Sequence, residues 1–241
     1  MSRLWPMALA AVCLAAMPAA AAEGGKEKRR VDPAFEPVPD EPGLPRVLLI
    51  GDSISIGYTL PVRALLKGQA NVHRPPTNCG STTTGLQELD QWLGSGKWDV
   101  IHFNFGLHDL KYADERGNLV AVDRGTQQVP VGQYEKNLEE LVTRLEKTGA
   151  KLIWASTTPV PEGAQGRVPG DEVKYNAAAK RVMDKHGVAI NDLHAFASQF
   201  KDEKAIQMER NVHFMRSGSV ELARQVVAHI LKALGKPAAE K

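Results

Sequence analysis

Four apolar residues, Val47-Leu48-Leu49-Ile50, run straight into Gly51-Asp52-Ser53-Ile54-Ser55-Ile56-Gly57-Tyr58. An uninterrupted apolar run of branched side chains fits a strand buried on both faces, as at the centre of a parallel sheet. Gly51 ends the run, and small polar residues lead into a new apolar pattern, so the stretch reads as strand, tight turn and helix start. Ser53 would then sit at the carboxyl end of a strand, beside N–H groups that a first helical turn leaves unpaired. That setting suits binding or chemistry on an electron-rich group. It equally suits an ordinary Ser/Asp helix cap, and the stretch alone leaves both readings open.

The rest of the chain repeats the same alternation. Leu60, Val62, Leu65 and Leu66 form a helical stripe closed by Gly68, and residues 70–73 read as a short strand. Residues 75–81 form a loop, and Leu86, Leu89, Trp92 and Leu93 give the next helical face. Residues 98–106 form a second buried strand that ends, like the first, in glycine. The polar, turn-rich stretch 107–129 is a long excursion of the kind that carries function or mobility. Tyr134, Leu138, Leu141, Val142 and Leu145 mark a strong helix, and residues 151–156 a strand. A Pro/Gly-rich loop follows over 157–170. Residues 173–186 read as helix, 188–190 as strand and 219–234 as the last helix, with Val220, Leu222, Ala223, Val226, Val227, Ile230 and Leu231 facing inward. Strands alternating with helices predict an α/β fold with a five-stranded parallel sheet covered on both faces, in the order 2-1-3-4-5. The first and third strands are then neighbours, and Gly51-Asp52-Ser53 faces Gly106-Leu107-His108-Asp109 across the crevice at their carboxyl ends.

The amino terminus is a separate matter. Arg3 precedes an Ala/Leu/Met-rich segment that ends in Ala20-Ala21-Ala22. This is the layout of a secretory signal peptide over residues 1–22, cleaved near Ala22, and it implies a secreted or periplasmic protein. Pro6 and Pro18 interrupt the apolar run below the roughly 20 residues of a span, so no stable membrane anchor is expected after cleavage. Val12 before Cys13 argues against a lipoprotein. Residues 23–45 are rich in Gly, Pro, Lys and Glu and read as a flexible linker, with the folded domain over 46–241. Cleavage leaves Cys79 as the one cysteine, without an internal disulfide and best read as a buried small hydrophobe. The net charge of +2 and the lack of a dominant basic patch argue against nucleic acid as partner; the KEKRR run at 26–30 fits a solvated linker.

A serine nucleophile needs a base, an oxyanion pocket and a group to orient the base. Of the seven histidines, His73 and His102 fall on strands, His186 ends a helix, His229 lies within the last helix and His194 sits near the start of a helical stretch. These favour structural or surface roles. His213, in Asn211-Val212-His213-Phe214-Met215-Arg216-Ser217-Gly218, precedes the final helix, where a loop can bring it over the sheet edge. His108 follows a strand-ending glycine. GDSISIG is neither a dinucleotide fingerprint nor a P-loop. His108 and Asp109 lack the paired-histidine spacing of a zinc site, so no metal and no cofactor is expected. Asp109 reads as a residue that caps or orients its loop, and Asp52 as a helix-start residue.

GDSIS at 51–55, the glycine of NCGS at 78–81, GLHD at 106–109 and NVHFMRSGS at 211–219 fall in the order of the blocks of the SGNH/GDSL hydrolases, and the chain resembles that superfamily from Arg46 to Leu234. The resemblance implies a three-layer α/β/α, flavodoxin-like fold and hydrolysis of esters, thioesters or acyl groups on glycans and lipids. It implies Ser53 as nucleophile, His213 as base and acid, and the N–H groups of Ser53 and Gly80 as oxyanion donors. Two positions depart from the family pattern. His108 stands where the third donor is usually asparagine; Asn104 is an alternative donor. Arg210 stands where the acid usually lies, three residues before the histidine. Asn211 is the next choice to orient His213, with Glu209 or a backbone group as alternatives. The expected activity is that of an exported serine esterase acting on small acyl esters, acetyl first, of a carbohydrate. The alternatives are a glycan-binding or structural relative with a degraded triad, and a lipase or thioesterase on lipid-like acyl substrates. The expected partner is a small-molecule or glycan ester. Arg167 and Tyr175 are possible substrate contacts, with loop and helix-surface roles equally open.

Overall fold

A computed structural model describes Met1, residues 31–200 and residues 206–237. Apart from Met1, the signal peptide expected over 1–22 and the first part of the linker lie outside the described residues. The chain from Val31 onward forms one compact unit. Its strands are β1 (Arg46–Ile50), β2 (Asn71–His73), β3 (Val100–Phe103), β4 (Tyr112–Ala113), β5 (Thr126–Gln127), β6 (Lys151–Ala155) and β7 (Ala189–Asn191). Among the described residues the α-helices are α1 (Ser53–Leu65), α2 (Thr82–Leu93), α3 (Val131–Glu146), α4 (Asp171–His186), α5 (Leu193–Ser198) and α6 (Arg216–Leu234).

The main sheet has the order β2-β1-β3-β6-β7, all parallel. With the small β4–β5 ribbon set aside, this is the expected 2-1-3-4-5 order. Helices α1 and α6 pack together, and α2, α3 and α4 pack in series, giving the three-layer α/β/α fold. Val47, Leu48, Leu49 and Ile50 are all buried, as both-face coverage requires. Ile50 pairs with Phe103, and the Asn104 N–H donates to the Ile50 carbonyl over 3.0 Å. The turns that leave β1 and β3 therefore start side by side. No helix among the described residues is long and apolar enough to cross a membrane.

Three details differ from the pattern reading. Helix α1 starts at Ser53, because the Asp52 side chain accepts the Ile54 N–H over 2.9 Å and sets the first turn. Its phase then buries Ile54, Tyr58, Val62 and the following Leu66, while Leu60 is 43% exposed. Residues 107–129 are not unstructured: β4 and β5 pair antiparallel, and Leu107, Leu110 and Val129 are buried. The part of the expected linker nearest the domain lies against it. Arg63 donates to the carbonyls of Pro33 and Glu36, Asn71 bonds the backbone of Glu41, and Asp40 pairs with Arg46 and His73. These partners lie far along the chain, so composition could not reveal them.

The histidines on β3 and in the helices hold structural positions. His102 is fully buried and receives the Asn191 side-chain amide on Nε2 at 3.1 Å. Burial, with His229 adding to it, lowers its pKa to about 3. The unfolded chain takes up a proton near pH 6.5 while the folded chain does not, so stability falls as pH drops through that window. The His102→Gln variant should lose this part of the slope, which approaches about 1.4 kcal/mol per pH unit. Melting temperature measured from pH 7 to pH 4 on both proteins checks it: parallel curves would contradict the neutral buried imidazole.

Candidate active site

Ser53 opens α1 immediately after its capping residue, so its N–H is among the first-turn donors a helix cannot pair internally. Asp52 is buried and occupied by the cap, which agrees with its expected helix-start role. The Ser53 hydroxyl lies 2.8 Å from Nε2 of His213.

A tight hairpin presents His213. Gln207 bridges Phe214, the Met208 N–H donates to the His213 carbonyl (2.9 Å), and the Met215 N–H donates to the Ile206 carbonyl (2.9 Å). Val212 and Phe214 are buried on either side, so the imidazole between them points the other way, toward Ser53. The Gln207 amide braces the hairpin through the carbonyls of Pro159 and Val212. Gly218, in the first turn of α6, lets the hairpin approach: a Cβ there would stand 2.0 Å from the Ile206 carbonyl oxygen. Arg210 takes a left-handed φ of +55° at the hairpin tip.

Asn211 Oδ1 lies 2.7 Å from His213 Nδ1 and 3.1 Å from the His213 backbone N–H. A backbone N–H can only donate, so the amide atom facing it must be the oxygen. The same oxygen then takes the Nδ1 proton, which leaves Nε2 as the acceptor facing the Ser53 hydroxyl. Glu209 and Arg210 are exposed and make no hydrogen bond to His213.

Gly80 sits at φ +66° on the loop before α2. Its N–H donates to Asn78 Oδ1 over 3.0 Å, so in this state the expected oxyanion donor already has a partner. The Cys79 N–H donates to the Gly51 carbonyl (3.3 Å), joining this loop to the serine turn. Cys79 itself is buried, and burial raises its thiol to about 11. Asp109 fulfils the loop-orienting role expected of it: its Oδ1 accepts from the backbone N–H and hydroxyl of Thr82, tying the Gly106–Asp109 turn to the start of α2. It is wholly buried, which raises its carboxyl to about 7.

His108 is half-buried, and its electrostatic neighbours are Asp52, Lys111, Arg167 and His213. Burial, opposed by the Asp52 carboxylate and aided by Lys111 and Arg167, lowers its pKa and favours the neutral ring. Asn104 is not aimed at the site: its side-chain amide donates to the Ala155 carbonyl over 2.8 Å. Tyr175 is a core residue bonded to the Val129 carbonyl, because the helix face it occupies turns inward. Arg167 donates to the Leu107 carbonyl. The cleft at Ser53 encloses about 320 Å³ and is lined by Ile54, Ile56, Gly57, Met208, His213, Phe214 and Ser219.

A serine hydroxyl bonded to an imidazole at the carboxyl edge of a parallel α/β/α sheet is an arrangement of the acyl-hydrolase kind. The chain belongs to the GDSL-like lipase/acylhydrolase family, whose model matches residues 49–219. It is thereby a carboxylic ester hydrolase by class. Among solved structures it is similar to the lipase/acylhydrolase from Enterococcus faecalis, with a TM-score of 0.65 at 18% identity over 82% of this chain and 100% of that one. The acetyl xylan esterase AlAXEase gives 0.63 at 18% over 77% and 99%. Axe2, an acetylxylan esterase from Geobacillus stearothermophilus, gives 0.61 at 16% over 82% and 97%. At these identities the likeness is one of fold. No curated protein sequence matches the chain.

The left-handed backbone at Gly80 has a measurable consequence. A Cβ there would meet Thr84 Oγ1 at 3.1 Å in a conformation that L-residues avoid. Gly80→Ala should lower unfolding free energy by about 1–2 kcal/mol, as urea titration would measure; an unchanged midpoint would argue against this loop geometry.

Proposed function

We propose that the protein is an exported serine esterase that removes small acyl groups, acetyl first, from a carbohydrate. The observation that carries the proposal is the bonded series Ser53 Oγ, His213, Asn211 Oδ1, at 2.8 and 2.7 Å. In this reading His213 Nε2 takes the Ser53 hydroxyl proton as Oγ attacks the acyl carbonyl carbon. The resulting imidazolium returns the proton to the alkoxide leaving group as the C–O bond breaks. His213 then removes a proton from water, which attacks the acyl-enzyme and frees the acid and Ser53.

The oxyanion forms beside the Ser53 N–H at the positive end of α1. Gly80 can serve as a second donor by exchanging Asn78 Oδ1 for the oxyanion. Neutral His108 can present one N–H as a third. Asn211 orients the imidazole and fixes its tautomer but supplies no charge to stabilise imidazolium. In a serine protease the Asp→Asn change lowers turnover by about 10⁴, partly through the wrong tautomer. Here the bond to the His213 backbone avoids the tautomer loss, and what remains is the missing charge.

The carbohydrate assignment draws on the acetylxylan esterase neighbours and on the polar stretches 111–125 and 161–170. Export draws on Arg3 and the apolar, alanine-ended segment that follows it. A second reading, a lipase or thioesterase, is supported by the apolar lining of Ile54, Ile56, Met208 and Phe214 at Ser53.

Rates of the wild type and Ser53→Ala on p-nitrophenyl acetate and on acetylated xylo-oligosaccharides test the proposal. The variant should lose about 10³-fold or more; equal rates would remove Ser53 as nucleophile. A series of longer acyl esters separates the two readings, since an acetyl esterase should lose kcat/KM as the chain grows. Asn211→Asp should raise kcat, the gain reporting the charge that asparagine withholds. Intact-mass measurement of the protein recovered outside the cytoplasm should give a chain beginning at Glu23, and retention of residues 1–22 would contradict the export reading.

A further inference from the structure

Arg74 follows β2 directly, is only 8% exposed, and lies behind the serine turn. Its Nε donates to the Pro75 carbonyl (3.2 Å). One terminal nitrogen donates to Ser55 Oγ and Thr59 Oγ1 (both 3.0 Å), and the other to the carbonyls of Gly51 (3.2 Å) and Thr77 (3.0 Å). A guanidinium has five N–H groups, and each has an acceptor. None of those acceptors carries a charge: Asp52 and Asp32 act on Arg74 only through space. The Phe35 ring covers it, 5.3 Å from Cζ.

A buried cation without a contacting carboxylate is an expensive way to fill space, and apolar residues of similar volume commonly serve stability as well or better. What the guanidinium provides is a planar fork that ties together segments no apolar side chain could align. Gly51 and Ser55 flank Ser53 two residues away on either side. Pro75 and Thr77 belong to the loop that carries Gly80. The Gly51 carbonyl that accepts from Arg74 also accepts the Cys79 N–H, one residue before Gly80. The two donor groups read above as the oxyanion pocket are thus set against each other through one side chain.

We propose that Arg74 is the positioning residue of the oxyanion pocket, holding the Ser53 turn and the Gly80 loop at the separation the tetrahedral intermediate needs. This rests on the reading of Ser53 as nucleophile and Gly80 as donor. Arg74 touches no substrate. Its effect lies in the transition state and not in ground-state binding, because only the intermediate's oxygen must meet both N–H groups at once.

The test compares wild type, Arg74→Lys and Thr59→Val on p-nitrophenyl acetate, with active sites counted by a fluorophosphonate ester. Lysine keeps the charge but cannot reach five acceptors. Thr59→Val removes a single acceptor with little change of shape. Per titrated site, Arg74→Lys should lose about 10–100-fold in kcat with KM within about twofold. Inhibition by phenylboronic acid, which forms a tetrahedral adduct on serine, should weaken by the same factor. Thr59→Val should show the same pattern at about two- to fivefold. A purely structural Arg74 would lower the melting temperature yet leave titrated sites at wild-type kcat and boronate affinity, and that result would overturn the proposal. Should Arg74→Lys fail to fold, Thr59→Val decides: wild-type kcat and boronate affinity would overturn it. Wild-type turnover equal to that of Ser53→Ala would instead remove the serine reading, and this inference with it.

Discussion

Parallel pairing of β1 with β3 is the constraint on which the site depends. Ile50 opposite Phe103 brings the ends of the two strands level, so the chain leaves the sheet twice at one place. One exit becomes the Asp52-capped start of α1; the other becomes the Gly106–Asp109 turn. β2 on the far side of β1 delivers Arg74 and the Gly80 loop to the same edge. Three crossovers of a buried sheet thus converge on one edge, and the rigidity of the sheet passes to the side chains carried there.

Around that edge, polar groups that would be costly if left unpaired are consumed in holding backbone. Arg74 spends all its donors on main-chain carbonyls and α1 hydroxyls. Asp109 holds the start of α2, and Gln207 holds the His213 hairpin. Asn211 does both jobs with one oxygen, bonding its own hairpin and the imidazole of His213. In a low-dielectric setting such bonds are worth keeping because the alternative is an orphaned polar group.

Much of this was legible from the residues. Unbroken apolar runs ending in glycine marked β1 and β3, because both faces of a central strand must be covered. Alternation with helical stripes pointed to a parallel sheet covered on both faces, and the 2-1-3-4-5 order expected for it is the one the strands take. The Ser53, Gly80, His108 and His213 positions could be nominated because short motifs of small and polar residues recur in a set order. Less legible was the phase of α1, whose buried face runs through Ile54, Tyr58, Val62 and Leu66 at four-residue spacing and so leaves Leu60 outward. The ribbon inside residues 107–129 was hidden as well, since strands of two residues leave no periodicity to detect.

What the sequence determined alone is the order of strands and helices and the identity of the chemical groups, for these depend on local pattern and side-chain type. What only the tertiary structure decided is which groups meet. Asn211, not Glu209 or Arg210, faces Nδ1 of His213, because the hairpin's own backbone N–H claims the same amide oxygen. Asn104 turns to Ala155, Asn78 occupies the Gly80 N–H, and Arg74 reaches from β2 to the serine turn. Each is a contact between segments separated in the chain or a choice among near-equal local partners, and a one-dimensional pattern carries no distance between them.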